Sequence, residues 1–190
     1  MKGLFITFEG PDGAGKTTQV RLLADALASL GKTVVLTREP GGTRIGDQIR
    51  SLLLAPDHTE MDARTEVLLY AAQRAQNVAE RILPALAQGH IVIGDRFTDA
   101  SMAYQSAGLG IDEAFVRQVN EFATGGLKPH RTYMLDLPED AGRRRLENRI
   151  RQASGEQNGL DRIERRTDDY HRRVREAFRA IARREPERVL

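Results

Sequence analysis

The chain contains no cysteine. This excludes a disulfide framework, a thiolate nucleophile and a cysteine-based zinc site, and it fits a reducing cytoplasm. Nor does any apolar run approach the roughly 20 residues that a membrane-spanning helix requires, so no membrane partner is expected. Met1-Lys2-Gly3 leads straight into an apolar stretch, without the charged, apolar and small-residue succession of an export leader. The expectation is a cytoplasmic protein free in solution. Internal repeats and low-complexity tracts are missing too, and 190 residues with 40% hydrophobic content suit one domain, 1–190. A large charge excess is also lacking, the net charge being +2, although the charge is unevenly spread. Between Arg143 and Arg188 lie fifteen arginines and no lysine, against nine acidic residues. A nucleic-acid-binding face and a salt-bridged helix face both explain such a stretch; interleaving with Glu147, Glu164, Asp168, Asp169 and Glu176 favours the second. No nucleic-acid partner is expected.

What is present is a phosphate-binding loop. Gly10-Pro11-Asp12-Gly13-Ala14-Gly15-Lys16-Thr17 has the Gly-x-x-x-x-Gly-Lys-[Ser/Thr] spacing, followed by Thr18. Its flanks fit, because residues 4 to 8 are apolar enough for a buried strand, while Val20, Leu23, Ala24, Leu27 and Leu30 recur at helical spacing until Gly31. The glycines let backbone N–H groups converge on phosphate oxygens, and the helix N-terminus adds its positive dipole end. Lys16 is expected to reach the β- and γ-phosphates of a triphosphate, and Thr17 to offer its hydroxyl to magnesium.

Further strand candidates occur at 33–37, 91–94 and 132–136, separated by helix-length segments. That alternation predicts an α/β fold, a parallel sheet covered by helices on both faces, as in P-loop NTPases. The longest helical stretch is 62–87, with Pro84 disturbing its end. Arg188-Val189-Leu190 reads as the start of one more strand, with a C-terminal segment expected beyond it. Ligands of a parallel sheet gather outside the carboxyl ends of the strands, which singles out Glu9, Arg38, Asp95, Arg96 and the residues from Asp136 onward. Arg38 and Arg96 there suit a second phosphate through bidentate donors; pairing with Glu39 and Asp95 is the structural alternative. Residues 152–160 are polar, contain glycine and interrupt a helical run, so they read either as a surface loop or as part of a lid over bound nucleotide, about 149–164.

Six segments, in order, resemble the thymidylate kinase family: residues 8–18, 37–43, 70–74, 95–97, 101–105 and 160–164. The resemblance implies transfer of the γ-phosphoryl group of ATP to thymidine 5′-monophosphate (dTMP), with Mg2+ and as a homodimer. It implies that Arg38, Arg50 and Arg96 hold the acceptor phosphate. Glu9 would lie near the sugar 3′-hydroxyl and, with Thr17 and Asp95, near the magnesium ion. Tyr70 stands where the family usually has a phenylalanine stacked on thymine, Arg74 would bond the base carbonyl, Ser101 and Gln105 would line the base pocket and Tyr104 would close on the sugar. For Tyr70 and Tyr104, half-buried packing is the alternative. Beside Gly13 the loop carries Asp12 and Ala14 and no arginine, so the chain resembles the bacterial type with its catalytic arginine in the lid. Arg149, Arg151 and Arg162 are the candidates, acting with Lys16 and Arg96. A kinase for another phosphorylated acceptor, and a regulatory NTP-binding module contacting nucleic acid, are the competing readings.

Overall fold

The structure is a computed structural model that describes residues 3–138, 141, 142, 144, 145, 148, 151 and 159–190. Four parallel strands form the sheet among these residues: β1 (Leu4–Glu9), β2 (Val34–Arg38), β3 (Ile91–Asp95) and β4 (Arg131–Met134), in the order β2-β3-β1-β4. Pairing of Phe8 with Asp95 and of Arg38 with Asp95 brings the strand ends to one level. That common edge is where a ligand can meet residues from several strands.

Alternation along β1 fills both faces of the sheet. Ile6 and Phe8 pack with Val20 and Ala24 of α1 (Lys16–Ser29) and with Ile93. Phe5 instead faces Val78, Ile82, Ala85 and Phe97 on the other side. Fully buried parallel strands need apolar residues at odd and even positions, which explains the continuous runs in the sequence. A third cluster forms around Tyr104, Ile163, Tyr170, Val174 and Phe178, joining the chain after β3 to a long C-terminal helix, Asp168–Arg184.

Between β2 and β3 run α2 (Arg44–Leu54), α3 (Ala63–Asn77), a π-helical turn (Val78–Ile82) and α4 (Leu83–Ala87). The predicted helix at 62–87 is thus continuous, and Pro84 does not end it. The N–H of Leu83 reaches back five residues to the Val78 carbonyl, and Pro84 falls in the first turn of α4, where its missing N–H is tolerated. After β3 come α5 (Thr98–Ser101), a second π-helical stretch (Met102–Gly108) and α6 (Glu113–Thr124); the helix at Asp168–Arg184 is α7.

The predicted last strand is a single bridge. Val189 pairs in parallel with Thr132, and Leu190 N donates to Thr132 O at 2.9 Å. The arginine-rich stretch has the ion-paired character expected of it: Arg175 meets Asp136, Arg184 meets Glu113, and Arg188 meets Asp99 and Glu185.

Candidate active site

The loop after β1 makes a tight turn that side chains would block. A Cβ at Gly10, whose φ is 131°, would stand 2.1 Å from the Leu135 carbonyl oxygen. Gly15, at φ 92°, occupies the N-cap of α1 without a side-chain cap, which leaves the first-turn N–H groups for a ligand. Lys16 folds back over the loop, donating to Gly10 O at 3.1 Å and Pro11 O at 2.8 Å. Burial, together with the Arg96 guanidinium, pushes its ammonium down to about 8. Thr17 Oγ1 donates to Asp95 Oδ2 at 2.6 Å at the mouth of the loop. These groups open onto a crevice of about 1360 Å³.

Arg96 sits at the centre of the site. It leaves β3 with φ 72°, a left-handed conformation costly for a side chain of this size and typical of functional positions. Its guanidinium donates to Gly10 O at 2.8 Å, Asp12 Oδ1 at 2.6 Å and Tyr104 Oη at 2.9 Å, and it lies 4.8 Å over the Tyr104 ring. Tyr104 Oη in turn donates to Asp12 Oδ2 at 2.8 Å. Burial opposes ionisation of Asp12, but Arg96 and Lys16 outweigh it and hold the carboxyl well below its usual range. Asp12, Arg96 and Asp161 face the crevice and also a smaller recess beside it.

That recess gathers Arg50, Tyr70, Arg74, Ser101, Tyr104 and Gln105, all singled out in the sequence. Arg38 faces the neighbouring crevice and is held by Asp47 at 3.3 Å, while Arg50 donates to Pro40 O at 2.9 Å. Arg74 is 1% exposed and mostly committed to the protein itself. It donates to Glu39 at 2.7 Å, Ser101 at 3.0 Å, Asn120 at 2.6 Å and Phe97 O at 3.0 Å, which uses four of its five N–H groups. Burial pushes the Tyr70 hydroxyl above its ordinary range, so it faces the recess uncharged.

Two sequence expectations change. Glu9 does not reach the recess or the crevice: it is 0% exposed, its Oε1 accepts from Phe97 N at 2.7 Å, and its Oε2 has no partner among the described residues. The acid bonded to both Arg96 and Tyr104 is Asp12, which the sequence places only among the ATP-contacting loop residues. Arg162 does not point at the loop; it donates to Glu66 at 2.7 Å and to Leu53 O at 2.8 Å. Arg151 is exposed, and Arg149 lies outside the described residues. Arg145 and Arg165, which the sequence reading passed over, face the crevice, and Arg145 donates to Gly13 O at 3.0 Å. Asp161 and Glu164 face it as well, and burial with the Glu164 charge raises Asp161 to about 6. Asp161 and Glu164 flank Arg162 within residues 160–164, so the motif was visible even where the choice of residue was not.

A triphosphate loop facing a second recess lined with arginines and tyrosines defines a P-loop phosphotransferase with two nucleotide sites, the class of nucleoside monophosphate kinases. Comparison with known proteins narrows this. The family description "Thymidylate kinase" matches residues 8–190, and the chain belongs to the thymidylate kinase family. It is 55% identical over 189 residues to a thymidylate kinase of Exiguobacterium sibiricum, covering 100% of this chain and 85% of that one. Against a thymidylate kinase of Syntrophotalea carbinolica the identity is 49% over 185 residues, with 97% and 85% covered. The crystal structure of thymidylate kinase from Ehrlichia chaffeensis is similar with a TM-score of 0.80 at 34% identity, covering all of this chain and 92% of that chain.

Proposed function

We propose that the protein transfers the γ-phosphoryl group of ATP to dTMP, giving ADP and dTDP for dTTP synthesis, in the cytoplasm. The observation that carries this reading is the junction of Asp12, Arg96 and Tyr104, where the phosphate-binding loop and the acceptor recess share one wall. Loop amides and Lys16 hold the donor. Arg96, Arg50 and Arg38 hold the acceptor phosphate, Tyr70 and Gln105 bracket the base, the remaining N–H of Arg74 meets a base carbonyl, and Asp12 with Tyr104 meets the sugar.

An acceptor phosphate monoester has a second pKa of about 6, so near neutral pH its attacking oxygen is already ionised and no general base is needed. Catalysis reduces to aligning two anions and offsetting charge on the transferred group. Lys16 and Arg96 supply part of that charge. We assign the rest to the arginines of the crevice wall, Arg145 and Arg165, together with Arg149 and Arg151.

Thr17 and Asp95 place two hard oxygen donors side by side at the crevice mouth, which fits Mg2+, an ion that takes few protein ligands and keeps several waters. An Mg2+ ion held by Thr17 and Asp95 would supply positive charge to offset that of the phosphates. Glu9, buried behind the strand end, is left out of this set.

Leu68 on α3 and Phe115 and Phe122 on α6 remain exposed, Phe122 at 92%, and we place the homodimer contact on these adjoining helices. Light scattering that reads a monomer at micromolar concentration contradicts that placement. A crystal of the protein with dTMP and a non-hydrolysable ATP analogue tests the whole assignment. The expected result is thymine beside Tyr70 and its phosphate on Arg96; a base bound outside the recess overturns it.

A further inference from the structure

Glu66 of α3 is 0% exposed, yet it is ionised, because Arg166, Gln105 and Arg162 outweigh the burial that opposes its charge. Arg162 Nη2 donates to Oε2 at 2.7 Å, Arg166 Nη2 to Oε2 at 2.5 Å and Arg166 Nη1 to Oε1 at 3.3 Å. Gln105 Nε2 completes the set, donating to Oε1 at 2.9 Å.

These donors come from two different places. Gln105 belongs to the acceptor recess. Arg162 belongs to the segment in which Asp161, Glu164 and Arg165 face the phosphate crevice. The segment is pinned further by Arg162 N on Leu54 O at 3.2 Å and Arg162 Nε on Leu53 O at 2.8 Å. From Arg166 the chain of contacts continues back to the site, since Arg166 donates to Tyr170 Oη at 2.6 Å and Tyr170 Oη donates to Tyr104 O at 3.2 Å. One arginine is enough to neutralise a buried carboxylate. Two arginines from the same segment, with a pocket glutamine on the remaining face, serve geometry as well as neutrality.

We propose that Glu66 is a positioning residue that holds the crevice wall at Asp161–Arg165 in register with the acceptor recess through Gln105. Filling of the recess by the acceptor base and alignment of the wall against the donor phosphates are thereby coupled through one carboxylate. The proposal rests on the dTMP reading above.

The test uses the full chain and Glu66→Gln, which keeps shape and one acceptor oxygen but removes the charge. Loss of a charge-assisted contact of this kind corresponds to roughly tenfold or more. The expected result is a KM for dTMP raised and a kcat lowered by about tenfold each, with the KM for ATP within about twofold of wild type. In hydrogen exchange, dTMP slows the amides of residues 160–166 in the wild type and not in Glu66→Gln. Arg166→Lys, which keeps the charge and loses the fork, gives the same pattern at smaller size and decides the matter if Glu66→Gln does not fold. A variant that loses thermal stability while retaining both KM values, kcat and the dTMP-dependent protection overturns the coupling alone. A wild type inert toward dTMP overturns the coupling together with the reading beneath it.

Discussion

Replacing Glu9 by Gln isolates the electrostatics behind the loop. Burial, reinforced by the Asp99 charge, raises Glu9 to about 8 from an ordinary 4.5, although Arg96 and Lys16 pull the other way. The folded chain therefore holds a proton on Glu9 that the unfolded chain releases. Stability from this group is fully present below pH 4.5 and is lost as pH rises through about 8. For a single group the slope is about 1.4 kcal/mol per pH unit, and coupling to Asp99 spreads it, so a loss of about 3 kcal/mol between pH 5 and pH 9 is expected. Glu9→Gln keeps an oxygen to accept from the Phe97 N–H and cannot ionise. Its stability relative to wild type should sit near zero or slightly below at pH 5, where an amide N–H lacks a partner, and rise to about +2 kcal/mol or more at pH 9. Urea unfolding of both proteins at pH 5, 6, 7, 8 and 9 reads the difference, and titrations common to the two chains cancel. A difference that stays constant across the range refutes the assignment of a protonated, buried Glu9.

Arg74→Met leaves Glu39, 4% exposed, as an uncompensated buried acid and is expected to cost about 3–5 kcal/mol in urea unfolding; a loss under about 1 kcal/mol contradicts the network. Because Lys16 titrates near 8 in the empty protein and a bound triphosphate restores its charge, ATP binding should take up a proton at pH 8 to 9. Its affinity should weaken as pH rises above 8, by up to about tenfold per unit. Calorimetry in two buffers of different ionisation enthalpy checks this, and equal heats at pH 8.5 would sink the idea. Tyr104→Phe removes a hydroxyl shared by Asp12 and Arg96, and should raise the KM for dTMP by roughly tenfold with little change for ATP; steady-state kinetics that move both substrates equally would count against a sugar-side role.

The strands were legible to within a residue or two because buried parallel strands are written as continuous apolar runs, and the loop because its spacing is fixed by phosphate geometry. The helical stretch at 62–87 was legible as well, but the π-helical turn just before Pro84 was not, since nothing in the local pattern announces it. Of the residues that the sequence singles out for the acceptor, the recess brings together Arg50, Tyr70, Arg74, Arg96, Ser101, Tyr104 and Gln105. What sequence could not supply was the partner of each charge. Arg74 is held by Glu39, Ser101, Asn120 and Phe97, which lie 23 to 46 residues away along the chain, and Arg162 by Glu66, 96 residues away. Glu9, the last residue of β1, and Asp12, in the loop that follows, are three residues apart, and the backbone turn at Gly10 separates the first, which is sealed in, from the second, which faces the crevice and the recess.

The central claim is that the recess beside the loop selects thymidylate as phosphoryl acceptor. ADP formation from ATP and Mg2+ should be measured with dTMP, dUMP, dCMP, dAMP and dGMP, each over a full concentration range. The account predicts the highest kcat/KM for dTMP, and turnover that collapses in Arg96→Met while ATP still binds. A higher kcat/KM for any other monophosphate, or ADP formation indifferent to the acceptor, would contradict it.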